Sequence, residues 1–229
     1  IGDCLIDMRD GTLVSGGNNS VIPTDGSVTK IGNKAFINLS ELTNIVIPEG
    51  VTTIGEYAFS NCAALKSVSV PNSLRELEPY AFNGCSSLEK IHLDKNLDHI
   101  GRYAFSDCTS LNDIKIDGVT VIFEHAFKNC TSLASIDLPD NCEALLGAMF
   151  ENCTSLKTVA LPTQLKYLGE LFVNCPILES ITLPASLIQI EANPFVDCNN
   201  LSDLKFAGTI DEWNAVEKIL FWYRNCKFT

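Results

Sequence analysis

The chain has 229 residues, 46% of them hydrophobic, and a net charge of −12 from 28 acidic against 16 basic side chains. That balance argues against nucleic acid and anionic membrane surfaces as partners, since both select clustered Lys and Arg, and suits the solubility of a large exposed surface. No apolar run approaches the roughly 18 residues needed to span a bilayer.

The chain opens at Ile1 without a signal peptide; were the protein exported, its targeting segment would already have been removed. Residues 1–19 read as an N-terminal cap, in which the runs at residues 4–8 and 12–16 flank Arg9-Asp10-Gly11, a hairpin turn signal. Val21-Ile22-Pro23 then reads as a worn strand, and Val28, Ile31, Gly32, Ala35 and Phe36 complete an opening coil.

From there a repeat runs to residue 207. Phe36, Phe59, Phe82, Phe105, Phe127, Phe150, Phe172 and Phe195 are spaced by 23, 23, 23, 22, 23, 22 and 23 residues. A period in the twenties denotes a solenoid, each repeat one coil stacked on the last. One period, residues 42–64, reads L-x-x-I-x-I-P-x-x-V-x-x-I-G-x-x-A-F-x-x-C-x-x. The alternation at Ile45 and Ile47, repeated at Val68 and Val70, Ile91 and Leu93, and onward, predicts a short strand with one buried face. About nine such strands are expected to stack in parallel, roughly 4.8 Å apart. Pro48, Pro71, Pro139, Pro162 and Pro184 end their strands, because proline lacks the N–H a ladder needs. A second apolar pair follows, such as Val51 and Ile54, with Gly55 turning the chain. The A-F-x-x-C stretch predicts a turn or a single helical turn that drops Ala and Phe inward, the eight Phe forming an aromatic ladder.

Seven of the ten cysteines share one column: Cys62, Cys85, Cys108, Cys130, Cys153, Cys175 and Cys198. Zinc is disfavoured, since no pair has the close spacing of a zinc ligand pair and no His shares the column. Disulfides between adjacent coils are conceivable, but an odd ladder cannot pair fully, and Leu39 shows that a plain hydrophobe fits the site. Buried structural thiols are therefore expected, Cys142 also being core. Cys4 and Cys226, at opposite ends, should not pair. Residues 208–229 form a C-terminal cap: Thr209 and Glu212 have capping-box spacing before Trp213, Val216 and Leu220, an amphipathic helix that with Trp222 covers the end of the core.

This unit resembles the BspA-like, or Treponema pallidum-type, leucine-rich repeat, over roughly residues 20 to 207, and the stretch from Phe206 to Val216 resembles the segment that often closes such arrays. The expected architecture is a leucine-rich-repeat solenoid: a right-handed curved coil with a parallel concave β-sheet, short turns on the convex side, an N-terminal hairpin cap and a C-terminal helical cap. The resemblance implies a bacterial cell-surface or secreted protein that adheres to host proteins or other microbes, with no catalytic residue and no cofactor to carry over. Departures are local: Asp94 and Asp117 replace the proline; Glu78, Phe123, Leu146 and Glu191 the glycine; Met149, Leu171 and Pro194 the alanine.

Nothing in the sequence converges on catalysis or a metal. His92, His99 and His125 lie in different columns, and no nucleophile-elbow, zinc-protease, Walker or dinucleotide motif occurs. Sequons at Asn18, Asn38, Asn129, Asn152 and Asn200 are discounted as acceptors, two of them being built from the repeat itself. Two functions compete: an extracellular binding module, and a passive spacer or surface-layer element. The outward strand positions are mostly small and polar except mid-array, where Lys90, His92, Asp113, Lys115 and Asp137 gather charge of both signs. That patch is the expected contact surface for an extracellular protein or glycan.

Overall fold

The computed structural model describes residues 4–218 and is a β-solenoid. Eight strands form its concave column: Asn44–Val46, Ser67–Ser69, Lys90–Leu93, Asp113–Ile116, Ser135–Asp137, Thr158–Ala160, Ser180–Leu183 and Asp203–Phe206. Neighbours pair in parallel at the repeat spacing, Ile45 opposite Val68 and Ile91 opposite Ile114. The expected first strand is missing. Val21-Ile22-Pro23 is not a strand, although Ile22 still buries its side chain, so the column has eight members where about nine were expected.

A second parallel ladder, in two stretches that break between residues 122 and 144, runs alongside, which the alternation rule did not reveal. It is built from nine two-residue strands, at Lys30–Ile31, Thr53–Ile54, Glu76–Leu77, His99–Ile100, Val121–Ile122, Ala144–Leu145, Tyr167–Leu168, Gln189–Ile190 and Glu217–Lys218. Two residues are too few for periodicity to register, yet every pair but the last, Glu217–Lys218, follows one rule. The first side chain faces outward and the second, such as Ile54, Leu77 or Ile100, is fully buried.

The proline position tracks the extent of four of the five concave pairings, the exception being Ser67–Ser69 with Lys90–Leu93, which meet only at Ser67 and Lys90 despite Asp94. Pairings stop at three residues where the following strand ends before Pro71 or Pro162. They reach four where Asp117 or Ala207 stands there instead. Ala207 uses the N–H that proline would lack, donating to the Leu183 carbonyl at 2.8 Å. The concave ladder is interrupted twice, after Asp113–Ile116 and after Thr158–Ala160, and these are the two steps of 22 residues instead of 23.

Inside the coil, the eight Phe rings stack at centroid distances of 4.9 to 5.7 Å with interplanar angles of 4 to 11°. Seven of them are wholly buried, and the terminal Phe195 is nearly so. The turns that carry them are paired too: Phe59 N–H donates to the Ala81 carbonyl at 2.7 Å, and Phe82 N–H to Ala104 at 2.8 Å. The seven thiols of the cysteine column each donate to a Phe carbonyl of the preceding coil, at 3.0 to 3.2 Å. Every cysteine among the described residues is free, so neighbouring coils are not linked by disulfides. Cys226 lies outside the described residues.

The ends close as separate devices. The hairpin of Leu5–Asp7 and Thr12–Ser15 continues the second ladder, Thr12–Ser15 pairing in parallel with Lys30–Ile31. At the other end, the capping box of Thr209 and Glu212 starts a helix of only six residues, Ile210–Ala215. Val216 then adopts extended backbone and Glu217–Lys218 joins the second ladder, so the helix ends before the expected Leu220. Leu220 and Trp222 lie outside the described residues. Trp213 packs its ring 5.2 Å from Phe206 at the end of the core.

The shorter coil after Asp113–Ile116 depends on Gly118. Its φ is +80°, and a Cβ there would lie 2.6 Å from the Lys95 carbonyl oxygen. Gly118→Ala combines left-handed strain with a backbone clash and should destabilise by about 2 kcal/mol. A lowered denaturant midpoint checks this; an unchanged midpoint would show that the turn can rearrange.

Candidate functional site: the concave face

The concave strands bury every second side chain and present the others to solvent. In Lys90–Leu93 the residues Ile91 and Leu93 are buried while Lys90 and His92 are exposed, and Asp113–Ile116 repeats the pattern with Asp113 and Lys115 outward. Parallel register sets Asp113 opposite Lys90 and Lys115 opposite His92. Asp137 is the outward residue one coil further on. All five residues singled out from the sequence therefore lie on the concave face, spread over three consecutive coils. His92 Nε2 and an Asp113 carboxylate oxygen are 3.4 Å apart, both about half exposed. Lys90, Lys115 and Asp137 make no ion pair with any described residue, which leaves their charges available to a ligand.

The relief of this face follows the same residues. A depression of about 450 Å³ is bordered by His92, Asp94, Lys95, Lys115 and Asp117. A shallower one of about 290 Å³ lies over Ser67, Ser69, Lys90 and His92, and a third of about 350 Å³ lies over Asp113, Lys115 and Asp137. Two of the bordering carboxylates, Asp94 and Asp117, stand where most repeats carry proline. Asp117, which follows a four-residue pairing, and Asp94 therefore add charge to the rim of the patch.

Elsewhere on the concave face the outward positions include the small, uncharged Asn44, Ser67, Ser135, Thr158 and Ser180 and the exposed apolar Val46. At the far end Lys205 pairs with Asp203 of its own strand at 2.7 Å. The three histidines do not converge: His92 is concave, His99 is on the second ladder, and His125 is in a convex-side turn. Among the described residues no group of three or more His, Cys, Asp or Glu is placed to hold a metal.

The residues preceding the buried alanine were missed as a surface feature. Tyr57, Tyr80, Tyr103 and His125 all have positive φ, between 55 and 60°. Their rings stack at 4.6, 4.9 and 4.6 Å as a second, half-exposed aromatic ladder. Arg102 lies 5.2 Å from the Tyr103 ring centre and Lys34 5.7 Å from that of Tyr57. The signal was present as one aromatic column ahead of the Ala-Phe pair, but left-handed backbone at Tyr is unfavourable and not something composition suggests.

The fully buried thiols are poor nucleophiles. Burial pushes Cys62 and Cys142 up to about 11 and Cys153 up to about 12, and holds Cys85, Cys108 and Cys130 well above the usual thiol range. The neighbouring Cys198 thiol and burial raise Cys175, and the same neighbour lowers the half-buried Cys198.

The sequence profile described as the BspA type leucine-rich repeat region matches residues 29–145 and 117–225, with six copies. Among solved structures, the leucine-rich repeat protein TpLRR of T. pallidum is 29% identical, with a TM-score of 0.66 over 87% of each chain. A leucine-rich repeat protein of Bacteroides ovatus shares the fold at 24% identity and a TM-score of 0.57, over 90% of this chain and 70% of that one. No curated protein sequence matches. The chain belongs to the BspA-type leucine-rich repeat family.

Proposed function

We propose that this protein is a non-enzymatic, cell-surface or secreted binding module whose concave face, at Lys90, His92, Asp113, Lys115 and Asp137, contacts an extracellular protein or glycan. The observation that carries this reading is the coincidence of both signs of charge with the relief of the concave face, on a molecule of net charge −12. Exposed unpaired lysines beside carboxylates can hydrogen-bond hydroxyls or opposed side chains of a ligand. The absence of an aromatic cluster on that face points to a modest affinity, since tight protein interfaces are anchored by Trp, Tyr and Arg. The scattered histidines and high-pKa thiols support a role without catalysis.

A second reading is a passive spacer or surface-layer element. It is favoured by the small polar residues Asn44, Ser67, Ser135, Thr158 and Ser180 along the rest of the concave columns. A binding screen against extracellular matrix proteins and a glycan array separates the two. The module should retain at least one ligand, and Lys90→Glu with Lys115→Glu should weaken it by about tenfold or more, as expected for reversing two contact charges. No ligand in the screen would favour the spacer. Full binding by the double variant would move the contact off this patch.

A further inference from the structure

The second ladder carries a groove of about 580 Å³ whose lining includes Glu78, Asp98, Gly101, Val121 and Phe123. We infer that this groove seats an Arg or Lys side chain from a basic segment of a partner protein, separately from the concave patch.

The groove exists because of two neighbouring sequence events. Gly101 has no side chain, and a Cβ there would meet the Glu78 carbonyl carbon and the Pro79 nitrogen at 2.5 Å, so the backbones of adjacent coils form a bare floor. One coil on, the same column holds Phe123, whose side chain is 44% exposed, beside Val121, also 44% exposed. The Phe123 ring stands edge-on to His99, with centroids 5.9 Å apart at 85°, and forms a wall. The lining thus pairs exposed apolar surface with three carboxylates and one guanidinium, Arg102. Glu78 and Asp98 make no ion pair with any described residue, whereas Glu124 is held by Arg102 at 3.3 Å.

This combination selects its occupant. A purely apolar segment would leave two carboxylates facing it, and an acidic ligand would be repelled. A second copy of the chain brings a further net charge of −12. An Arg or Lys side chain satisfies both halves, its methylene stem covering Gly101 and Val121 while its cationic head reaches Glu78, Asp98 and the Phe123 ring. Arg102 shows the same mode within the chain, its guanidinium 5.2 Å from the Tyr103 ring centre and paired with Glu124.

The test uses a fluorescein-labelled penta-arginine amide and the neutral penta-citrulline peptide of equal shape, followed by fluorescence anisotropy in about 0.15 M salt, where long-range attraction to the net charge is screened. Penta-arginine should bind and penta-citrulline should not. Glu78→Gln with Asp98→Asn should weaken binding by about tenfold, and Phe123→Gly by about threefold. Phe123→Gly installs the residue that four of the eight coils carry in this column, and Phe123→Ser provides a second variant, each to be confirmed folded by its melting curve. Lys90→Glu with Lys115→Glu should bind at least as well as the parent, which separates this site from the concave one. No binding, or equal binding by the groove variants and the parent, would overturn the inference.

Discussion

Phe105→Ala should cost about 3–5 kcal/mol, the penalty of removing a large ring from a core that cannot collapse around the gap. Phe105 is fully buried and stacked between Phe82 at 5.6 Å and Phe127 at 5.7 Å. Its removal therefore breaks two ring contacts and leaves a void between coils held apart by their own backbone hydrogen bonds. Against a total stability of roughly 5–15 kcal/mol, the loss should lower the melting temperature by many degrees. Because each coil contacts only its neighbours, the damage should also uncouple the two halves of the array and broaden the transition. Phe195, at the end of the ladder and 8% exposed, stacks on Phe172 and should cost less when truncated. Calorimetry of the two variants checks the ranking. A Phe105→Ala protein that melts with the parent would mean that the ring does not seal the core.

Raising the pH above 9 should unfold the protein steeply. The buried thiols hold their protons more tightly in the folded chain than in the unfolded one, where the ordinary value is 9.0. Their contribution is complete below that value and is lost as pH rises through it toward 11 or 12, the folded values for Cys62, Cys142 and Cys153. Each such thiol forfeits about 1.4 kcal/mol per pH unit in that window, so several together approach the whole stability of the fold by about pH 10 to 11. Chemical denaturation at pH 8 and pH 10 measures the effect, and equal midpoints would show that the thiols are not buried. At neutral pH the same burial should shield the column from a thiol reagent. The half-buried Cys4 and Cys198 should react first among the described residues, and denaturant should then release the remainder of the ten.

What the sequence disclosed follows from how many times each feature was repeated. The Phe ladder, the cysteine column and the concave strands occur in seven or eight copies, so their inward placement was legible from spacing alone. The hairpin at Arg9-Asp10-Gly11 and the cap at Thr209 were legible because turn and capping chemistry is local. The second ladder was not, because strands such as Thr53–Ile54 are shorter than one alternation period and are held by neighbouring coils, not by their own pattern. The helix was overextended because the spacing of Trp213, Val216 and Leu220 suits a helix, while ladder pairing with Gln189–Ile190 draws Glu217–Lys218 into extended backbone. At the concave patch, alternation sufficed to aim the five charged side chains outward. The depressions among them lie between side chains of neighbouring coils, which only the packed coils reveal. The Phe123 groove was visible only as a lost glycine.

The most direct measurement of the functional claim is lysine footprinting. The protein is acetylated with a soluble active ester, free and in complex with the tightest ligand from the screen, and the extent at each lysine is read by mass spectrometry. Contact through the mid-array concave face predicts protection of Lys90 and Lys115, with Lys34, Lys128 and Lys166 modified as in the free protein. Unchanged acetylation of Lys90 and Lys115, with protection elsewhere, would contradict it.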